Sequence, residues 1–186
     1  MRRVAIALVH WPVLDGQGAV VTSAITNLDV HDLARSARSF GASDYFLVHP
    51  ITAQRDLVAR IKKHWDEGSS GKRIPARKDA LALARTVPSL EEAFQEMGGR
   101  AAIEVWSTGA KAPSEVLSMS DARARVEGDG KPILIVFGTA WGLAPEVHEN
   151  ADARLAPIVA SRDTAYNHLS VRAACAIYMD RLLGAR

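Results

Sequence analysis

The sequence predicts an α/β fold in which an open, mostly parallel sheet of five to six strands is flanked by helices. The runs at Val4–Val9, Tyr45–Val48 and residues 133–137 are apolar throughout, as strands covered on both faces of a parallel sheet are. Segments with helical spacing of apolar residues separate these runs, which is typical of this fold class. The 186 residues contain no repeat and no change of composition, so we expect one domain over residues 1–186.

Strands and helices alternate along the first half of the chain. Asn27 or Asp29 is a candidate helix N-cap and Gly41 the matching C-cap, with apolar residues at helical spacing between them. Residues 66–71 are rich in Gly and Ser and predict a flexible link. The other predicted elements are strands at Val4–Val9 and Tyr45–Val48, an extended piece at residues 19–22, a helix at residues 53–65, and a short helix or turn at residues 77–83.

The alternation continues in the second half. Ser89 and Glu92 form a capping box at the start of a helix, and Ser118 or Ser120 is a further candidate N-cap. The predicted strands are an edge strand at residues 85–88 and strands at residues 101–107, 133–137 and 153–159. The predicted helices cover residues 89–97, 118–127, Pro145–Glu149 and 170–183.

The basic residues are concentrated in one region, although the formal net charge is only +2. A local basic patch beside a neutral remainder can bind a polyanion, and a solvated basic loop is the other interpretation. Most of the excess lies between residues 55 and 78, at Arg55, Arg60, Lys62, Lys63, His64, Lys72, Arg73, Arg77 and Lys78.

Several common chemistries lack their signatures. The histidines are not paired with other ligands at metal-binding spacing, so we expect no metal site. There is no G-x-G-x-x-G, no phosphate loop and no G-x-S-x-G elbow. Cys175 is the single cysteine and lies in an apolar helical pattern, which predicts a buried residue rather than a nucleophile. With no disulfide and no membrane span expected, we predict a cytoplasmic protein.

Three glycine-containing or polar stretches remain at predicted strand ends: residues 137–143, 155–159 and 166–174. In open α/β sheets, ligands bind just outside the carboxyl ends of the strands. The third stretch places Asn167, His168 and Ser170 immediately before an apolar helix. Taken alone, that pattern favours a simple N-cap at Asn167 or Ser170 over a ligand site.

Together, the three stretches resemble the SPOUT superfamily of RNA methyltransferases. The resemblance rests on Phe-Gly-Thr-Ala-Trp-Gly-Leu at 137–143, Leu-Ala-Pro-Ile-Val at 155–159 and Tyr-Asn-His-Leu-Ser-Val-Arg-Ala at 166–173. It implies a C-terminal deep trefoil knot whose three loops hold S-adenosylmethionine, an RNA substrate, either tRNA or rRNA, and a homodimer.

The resemblance also implies a set of cofactor-binding residues. Gly138 and Gly142 permit close backbone approach, and Leu143, Ile158 and Leu169 are expected to form apolar walls for the adenine. Trp141 is either part of this site or a core or dimer-contact residue. The full set is Phe137, Gly138, Thr139, Trp141, Gly142, Leu143, Pro157, Ile158, Asn167, His168, Leu169 and Ser170.

For catalysis, the resemblance implies Arg35, Asn167 and Ser170. Arg35 corresponds to an arginine on the helix that follows the superfamily's first motif, here residues 26–35 with Phe40 and Gly41. A solvent-facing helix arginine is the alternative for this residue. The expected RNA contacts are Arg60, Lys62, Lys63, Lys72, Arg73 and Arg172.

The sequence also departs from the superfamily pattern in its first two motifs. Asn27, Asp29 and Asp32 stand where an N-P-x-N-x-G spacing is usual, and the loop 138–142 lacks the usual Glu. These departures motivate a second hypothesis, a non-catalytic RNA-binding or cofactor-sensing protein on the same knotted fold. They also leave methylation of base or ribose undecided.

Overall fold

The computed structural model describes residues 1–111, 115–161 and 166–185. The strands are β1 (Val4–Val9), β2 (Val13–Leu14), β3 (Val20–Val21), β4 (Tyr45–Val48), β5 (Ala84–Val87), β6 (Glu104–Ser107), β7 (Ile133–Gly138) and β8 (Ala153–Arg154). Within these residues, a six-stranded sheet has the order β5-β4-β1-β7-β6-β8, and all its neighbouring strands are parallel. The predicted α/β class and parallel sheet are confirmed.

Helices cover both faces of this sheet. They are α1 (Asn27–Ser39), α2 (Thr52–Glu67), α3 (Ser69–Arg73), α4 (Pro75–Ala82), α5 (Leu90–Glu96), α6 (Met119–Glu127), α7 (Pro145–Glu149) and α8 (Val171–Leu183), with a 3₁₀ turn at Arg100–Ala102. Side chains of α1, α2, α4, α6 and α8 pack on the face that carries Ile6 and Ile135, whereas α5 and α7 cover the face that carries Ala7 and Val136. Because both faces are covered, the central strands are apolar throughout.

The strand order reverses between β1 and β7. From β1 the chain builds outward through β4 to β5 on one side, and β7, β6 and β8 lie on the other. The crevice at such a reversal is where open α/β sheets bind ligands. Val9 pairs with Gly138 at the carboxyl ends of β1 and β7, so His10 and the loop after Gly138 border this crevice.

Two predicted helix ends are wrong by one or more residues. The N-cap of α1 is Thr26, whose hydroxyl accepts from the Asp29 backbone N–H while the Asp29 carboxylate accepts from the Thr26 backbone N–H. Neither Asn27 nor Asp29 is the cap, because Asp29 fills the reciprocal position of the capping box. At the other end Phe40, not Gly41, is the C-cap.

Two further predictions are wrong. Residues 66–71 are not a link: α2 runs to Glu67 and α3 begins at Ser69. The predicted strand 153–159 ends at Arg154, because β6, its partner, ends at Ser107. Beyond Arg154 the chain continues as a loop.

The predicted knot depends on residues 162–165, which lie outside the described residues, so it stays a prediction. Among the residues that the structure describes, no helix is long and apolar enough to cross a membrane.

Candidate functional site

The loop after β7 is a tight turn that requires glycine at two positions. A Cβ on Gly138 would lie 2.6 Å from the Leu143 backbone nitrogen, and Gly142 has a φ of +109°. The Gly142 N–H donates to the Thr139 carbonyl at 2.9 Å, which closes the turn. A side chain at either position would be strained or would clash. The two glycines therefore allow the compact turn that this loop makes where the strand order reverses, at the carboxyl ends of β1 and β7.

The β2-β3 hairpin braces the same loop. The Leu14 N–H donates to the Gly142 carbonyl at 2.9 Å, and the Trp141 N–H donates to the Leu14 carbonyl at 3.0 Å. The Trp141 ring lies against Gly16 and is 69% exposed. A core position for Trp141 is therefore excluded. Leu143 is buried among the side chains of the α5 and α7 face, so its side chain is part of the core.

Thr139 belongs to a partly buried chain of hydrogen bonds. Its hydroxyl donates to the Val9 carbonyl at 3.0 Å and contacts the Ser23 hydroxyl. A hydroxyl has one hydrogen, so Thr139 accepts from Ser23, and Ser23 in turn accepts from Nδ1–H of His10 at 3.0 Å. We infer that His10 is the Nδ1–H tautomer. The Thr139 hydroxyl and its backbone N–H, which donates to the Val9 carbonyl at 3.2 Å, are both occupied by protein partners, so a ligand can reach only the second lone pair of its carbonyl oxygen.

His10 is therefore a neutral histidine whose unprotonated Nε2 is buried. It is fully buried, and burial lowers its pKa to about 4, with Asp29 opposing and His49 reinforcing the shift. Its Nε2 has no hydrogen-bond partner among the described residues. The imidazole centroids of His10 and His49 are 5.8 Å apart.

His49 holds the same loop from the end of β4. Its Nε2–H donates to the Ser23 carbonyl at 3.0 Å, while its Nδ1 accepts from the Ile51 N–H at 3.1 Å. Burial lowers its pKa, which keeps this tautomer neutral. The two histidines together hold Ser23 at the carboxyl ends of β1, β4 and β7. They thereby fix the course of the chain that leads into α1.

A side chain of α8 contacts both the loop after β8 and strand β7. The Tyr178 hydroxyl donates to the Ala156 carbonyl at 2.9 Å, and its ring lies edge-on to Phe137 at 5.8 Å. Burial raises the pKa of Tyr178 to about 12, so it remains a donor. Pro157 and Ile158 follow and are half-buried. The first two predicted stretches are thus brought together around one side chain.

The third stretch leads directly into α8. The Ser170 hydroxyl accepts from the Ala173 N–H at 3.2 Å, so Ser170 is the N-cap, as one of the two predicted alternatives proposed. Asn167 is half-buried, whereas His168 and Leu169 are exposed. The rings of Tyr166 and His168 lie 5.2 Å apart.

A chain of charges ties the start of α8 to α1. Arg172 donates to the buried Asp29 at 2.9 Å and lies 3.8 Å from Asp32, which is 3.9 Å from Arg35. Arg172 was predicted to bind RNA, but its guanidinium is held by the buried Asp29, since a buried carboxylate needs a partner. Arg35 is more than half exposed and remains accessible.

The predicted RNA-binding residues of 55–78 separate onto different surfaces. Lys62 is half-buried and donates to the Ala84 carbonyl, and Lys63 pairs with Glu67. Lys72 and Arg73 are exposed on α3. Arg60 instead lines a cleft of about 650 Å³, the α1–α2 groove, together with His31, Arg35, His64, Trp65 and Arg77.

Sequence reasoning missed His10, Ser23, His49 and Tyr178. The signal available was modest: a histidine directly follows each of the buried strands β1 and β4. Their partners are distant in sequence, so the chain of bonds could be found only from the fold. Among the described residues, no cluster of three or more His, Cys, Asp or Glu side chains could hold a metal ion.

Comparison with known proteins gives a match over nearly the whole chain. Residues 3–184 match a protein family described as SAM-dependent RNA methyltransferase. Proteins of Oleidesulfovibrio alaskensis and Nitratidesulfovibrio vulgaris, both named tRNA (guanine-N(1)-)-methyltransferase, are 41% and 37% identical to it over 98% of this chain. The chain spans only 42% of the length of each. An uncharacterized Aquifex aeolicus protein is 35% identical over 96% of this chain and 87% of its own length.

Solved structures share the fold at low identity. TrmJ from Z. mobilis superposes with a TM-score of 0.61 at 21% identity, over 96% of this chain and 67% of its own. The A. aeolicus TrmH/SpoU tRNA modifying enzyme gives 0.59 at 13%, over 98% and 75%. The SpoU methyltransferase AviRb from Streptomyces viridochromogenes, determined with AdoMet, gives 0.54 at 16%, over 97% and 57%.

Proposed function

The chain belongs to a family of S-adenosylmethionine-dependent RNA methyltransferases, and on that premise we propose that it methylates tRNA. The SPOUT resemblance is confirmed by the TrmH/SpoU fold. The observation that carries the proposal is the family match over residues 3–184, which includes all three loops. The two relatives named for tRNA methylation support tRNA as the substrate. Because the chain spans 42% of each, the guanine in their name is not carried over.

The loops at the switch point fit the cofactor. An adenosine needs apolar surface and backbone hydrogen-bonding groups, and exposed Leu169 and half-buried Ile158 provide the first. The glycine turn at 138–142 brings the backbone of a compact loop to the crevice, since a Cβ at Gly138 would collide with the Leu143 backbone and force the turn open. We place backbone contacts at residues 137–139 and 142, apolar contacts at 157, 158 and 169, and polar contacts at 167 and 168.

When bound, S-adenosylmethionine supplies an electrophilic methyl group, so this chain has chiefly to orient the acceptor. Asn167 and Ser170 lie in the turn before α8, and the Ser170 hydrogen is still available to donate because its oxygen serves the cap. Arg35 is accessible at the end of the charge chain, where it contacts the RNA phosphate or helps to activate the acceptor.

The homodimer and the cytoplasmic location are also part of the proposal. Val159 and Tyr166 are 77% and 66% exposed apolar side chains in the loops before α8. A second copy that covered them would bury a patch of the kind that marks interfaces. An RNA substrate supports a cytoplasmic location.

The test is incubation of the purified protein with methyl-labelled S-adenosylmethionine and unmodified tRNA transcripts, followed by mass spectrometry of the nucleosides. We expect one methylated nucleoside. Cofactor and RNA binding without any label transfer would instead support the non-catalytic hypothesis.

A matched pair of glycine variants tests the cofactor loops. Gly142→Ala and Gly99→Ala place a methyl group at backbone φ values of +109° and +97°, each with no atom within 4 Å. Both should cost similar stability, about 1 kcal/mol or more. We expect calorimetric binding of S-adenosylmethionine to weaken only in Gly142→Ala, and equal binding in both variants would contradict this placement.

A further inference from the structure

The α1–α2 groove combines a basic wall with an apolar floor. Arg35, Arg60 and Arg77 line it, with Asp32 as the one carboxylate among its lining residues. Leu28, Ile61 and Trp65 provide the apolar surface, and His31 and His64 add two imidazoles. Arginine with exposed apolar and aromatic surface is the combination that single-stranded nucleic acid meets in its binding channels.

The cations of the groove are left without compensating carboxylates. In the part of the chain that the structure describes, Arg60 and Arg77 have no ion-pair partner, and Arg35 has only a distant one at 3.9 Å. The neighbouring Lys63 and Lys78 each lie 3.8 Å from a carboxylate, that of Glu67 and that of Asp66. Unpaired guanidinium groups in a concave surface raise the local concentration of anions.

Trp65 organises this surface. The Arg77 guanidinium lies 5.3 Å from its ring centroid, and the His31 ring packs edge-on at 5.4 Å. Arg77 is therefore presented by a stacking contact rather than by an ion pair. Burial lowers the pKa of His31, and the nearby Arg77 and Arg35 charges lower it further while Asp32 opposes them.

We propose that the α1–α2 groove is a subsite for a nucleotide of single-stranded RNA, taking the phosphate on Arg60 and Arg77 and the nucleoside on the floor at Trp65. This rests on the proposed RNA methyltransferase function. The volume of about 650 Å³ lies in the range that holds small ligands, and single-stranded segments are where proteins read unstacked bases.

The position of the groove relative to the cofactor loops supports this role. Asp32 lies between Arg35 in the groove and Arg172 at the start of α8. The third cofactor loop ends at Ser170, directly before α8. The groove therefore adjoins the start of α8 through Asp32, which lines the groove and lies 3.8 Å from Arg172.

The test compares the double variant Arg60→Gln/Arg77→Gln with the single variant Lys63→Gln. Lys63 lies on α2, as Arg60 does, but it is not among the residues that line the groove. Probes are bulk tRNA and a fluorescein-labelled decauridylate, measured by anisotropy between 50 and 300 mM KCl. The double variant should lose at least tenfold in affinity, and its salt slope should fall by about 1 to 2, the change expected for two lost phosphate contacts. Lys63→Gln should change less than twofold.

Each result has a defined meaning. Equal losses in the double variant and in Lys63→Gln would overturn the subsite, as would a change in the oligomeric mass of the double variant, since the groove would then contact a second copy. Calorimetric binding of S-adenosylmethionine should be unchanged in both. If the wild-type protein methylates no RNA but decauridylate binding still depends on Arg60 and Arg77, the proposed function fails while the subsite stands.

Tryptophan fluorescence of a Trp65→Phe variant tests separately whether the nucleoside lies against the Trp65 ring. Decauridylate should quench the tryptophan emission of the wild-type protein, and Trp65→Phe should remove most of that quenching while the protein keeps its thermal unfolding midpoint within a few degrees. Quenching of the same depth in Trp65→Phe would exclude the nucleoside from this ring.

Discussion

The buried His10 makes the stability of this fold depend on pH below neutrality. Burial lowers its pKa from 6.5 to about 4. A histidine with a lower pKa in the folded state stabilises the fold while it is neutral, so the contribution is complete above about pH 6.5 and is lost as the pH falls through 4. A shift of about 2.5 pH units corresponds to about 3 kcal/mol, of which about 2 kcal/mol is lost at pH 5.

His10→Asn isolates this contribution. The Asn amide keeps an N–H donor in place of Nδ1–H toward Ser23 and does not titrate between pH 4 and 8. We expect the free energy of unfolding in urea, followed by circular dichroism, to fall between pH 8 and pH 5 by about 2 kcal/mol more in the wild type than in the variant. Half-buried His148, whose pKa is also lowered to about 4, adds a smaller decrease that both proteins share.

His168→Asn is the control, because this histidine is exposed. Its pH dependence should match that of the wild type. If His10→Asn and the wild type lose the same free energy between pH 8 and pH 5, the lowered pKa of the buried His10 imidazole is refuted.

Four other substitutions test the remaining connections. Ser23→Ala removes the hydroxyl between His10 and Thr139 and should cost about 1–3 kcal/mol of unfolding free energy in urea, because both partners lose a buried bond. Arg172→Ala leaves buried Asp29 without its ion pair and should cost about 3 kcal/mol, whereas Arg35→Ala, at an exposed pair, should change the thermal unfolding midpoint little. Tyr178→Phe keeps the ring but loses the bond to the Ala156 carbonyl; stability should fall by about 1 kcal/mol, and calorimetry should show weaker S-adenosylmethionine binding. A cofactor affinity unchanged in Tyr178→Phe would show that the 155–159 loop is held by other contacts.

Much of the fold could be predicted from local patterns. The fully apolar runs of β1, β4 and β7 have no solvent face to alternate with, so their pattern identifies central strands. Ser89, Ser118 and Ser170 each accept a backbone N–H at the start of a helix, because a hydroxyl next to free N–H groups satisfies them at short range. Apolar runs and serine N-caps can be recognised from sequence because the residues involved lie close together along the chain.

The predictions from sequence failed at positions where contacts between distant parts of the chain determine the structure. Gly71 indicated a flexible link, yet it is buried in α3, and a Cβ there would lie 1.9 Å from the Trp65 carbonyl oxygen. Glycine is needed for that close approach rather than for flexibility. Ser23 and Thr139 are separated by 116 residues, so no local pattern could reveal the chain of bonds at the switch point.

The basic region illustrates the same limit for function. Charge counting treats its cations alike, whereas the fold distinguishes them by partner: Lys62 donates to the Ala84 carbonyl, and Lys63 and Lys78 face carboxylates. A cation already paired must give up that contact before it can bind a phosphate, and so gains less from RNA. Arg60 and Arg77, which have no ion-pair partner among the described residues, have no ion pair to give up. The affinity of this region for RNA should therefore depend more on the α1–α2 groove, with the exposed Lys72 and Arg73 of α3, than on Lys62, Lys63 and Lys78.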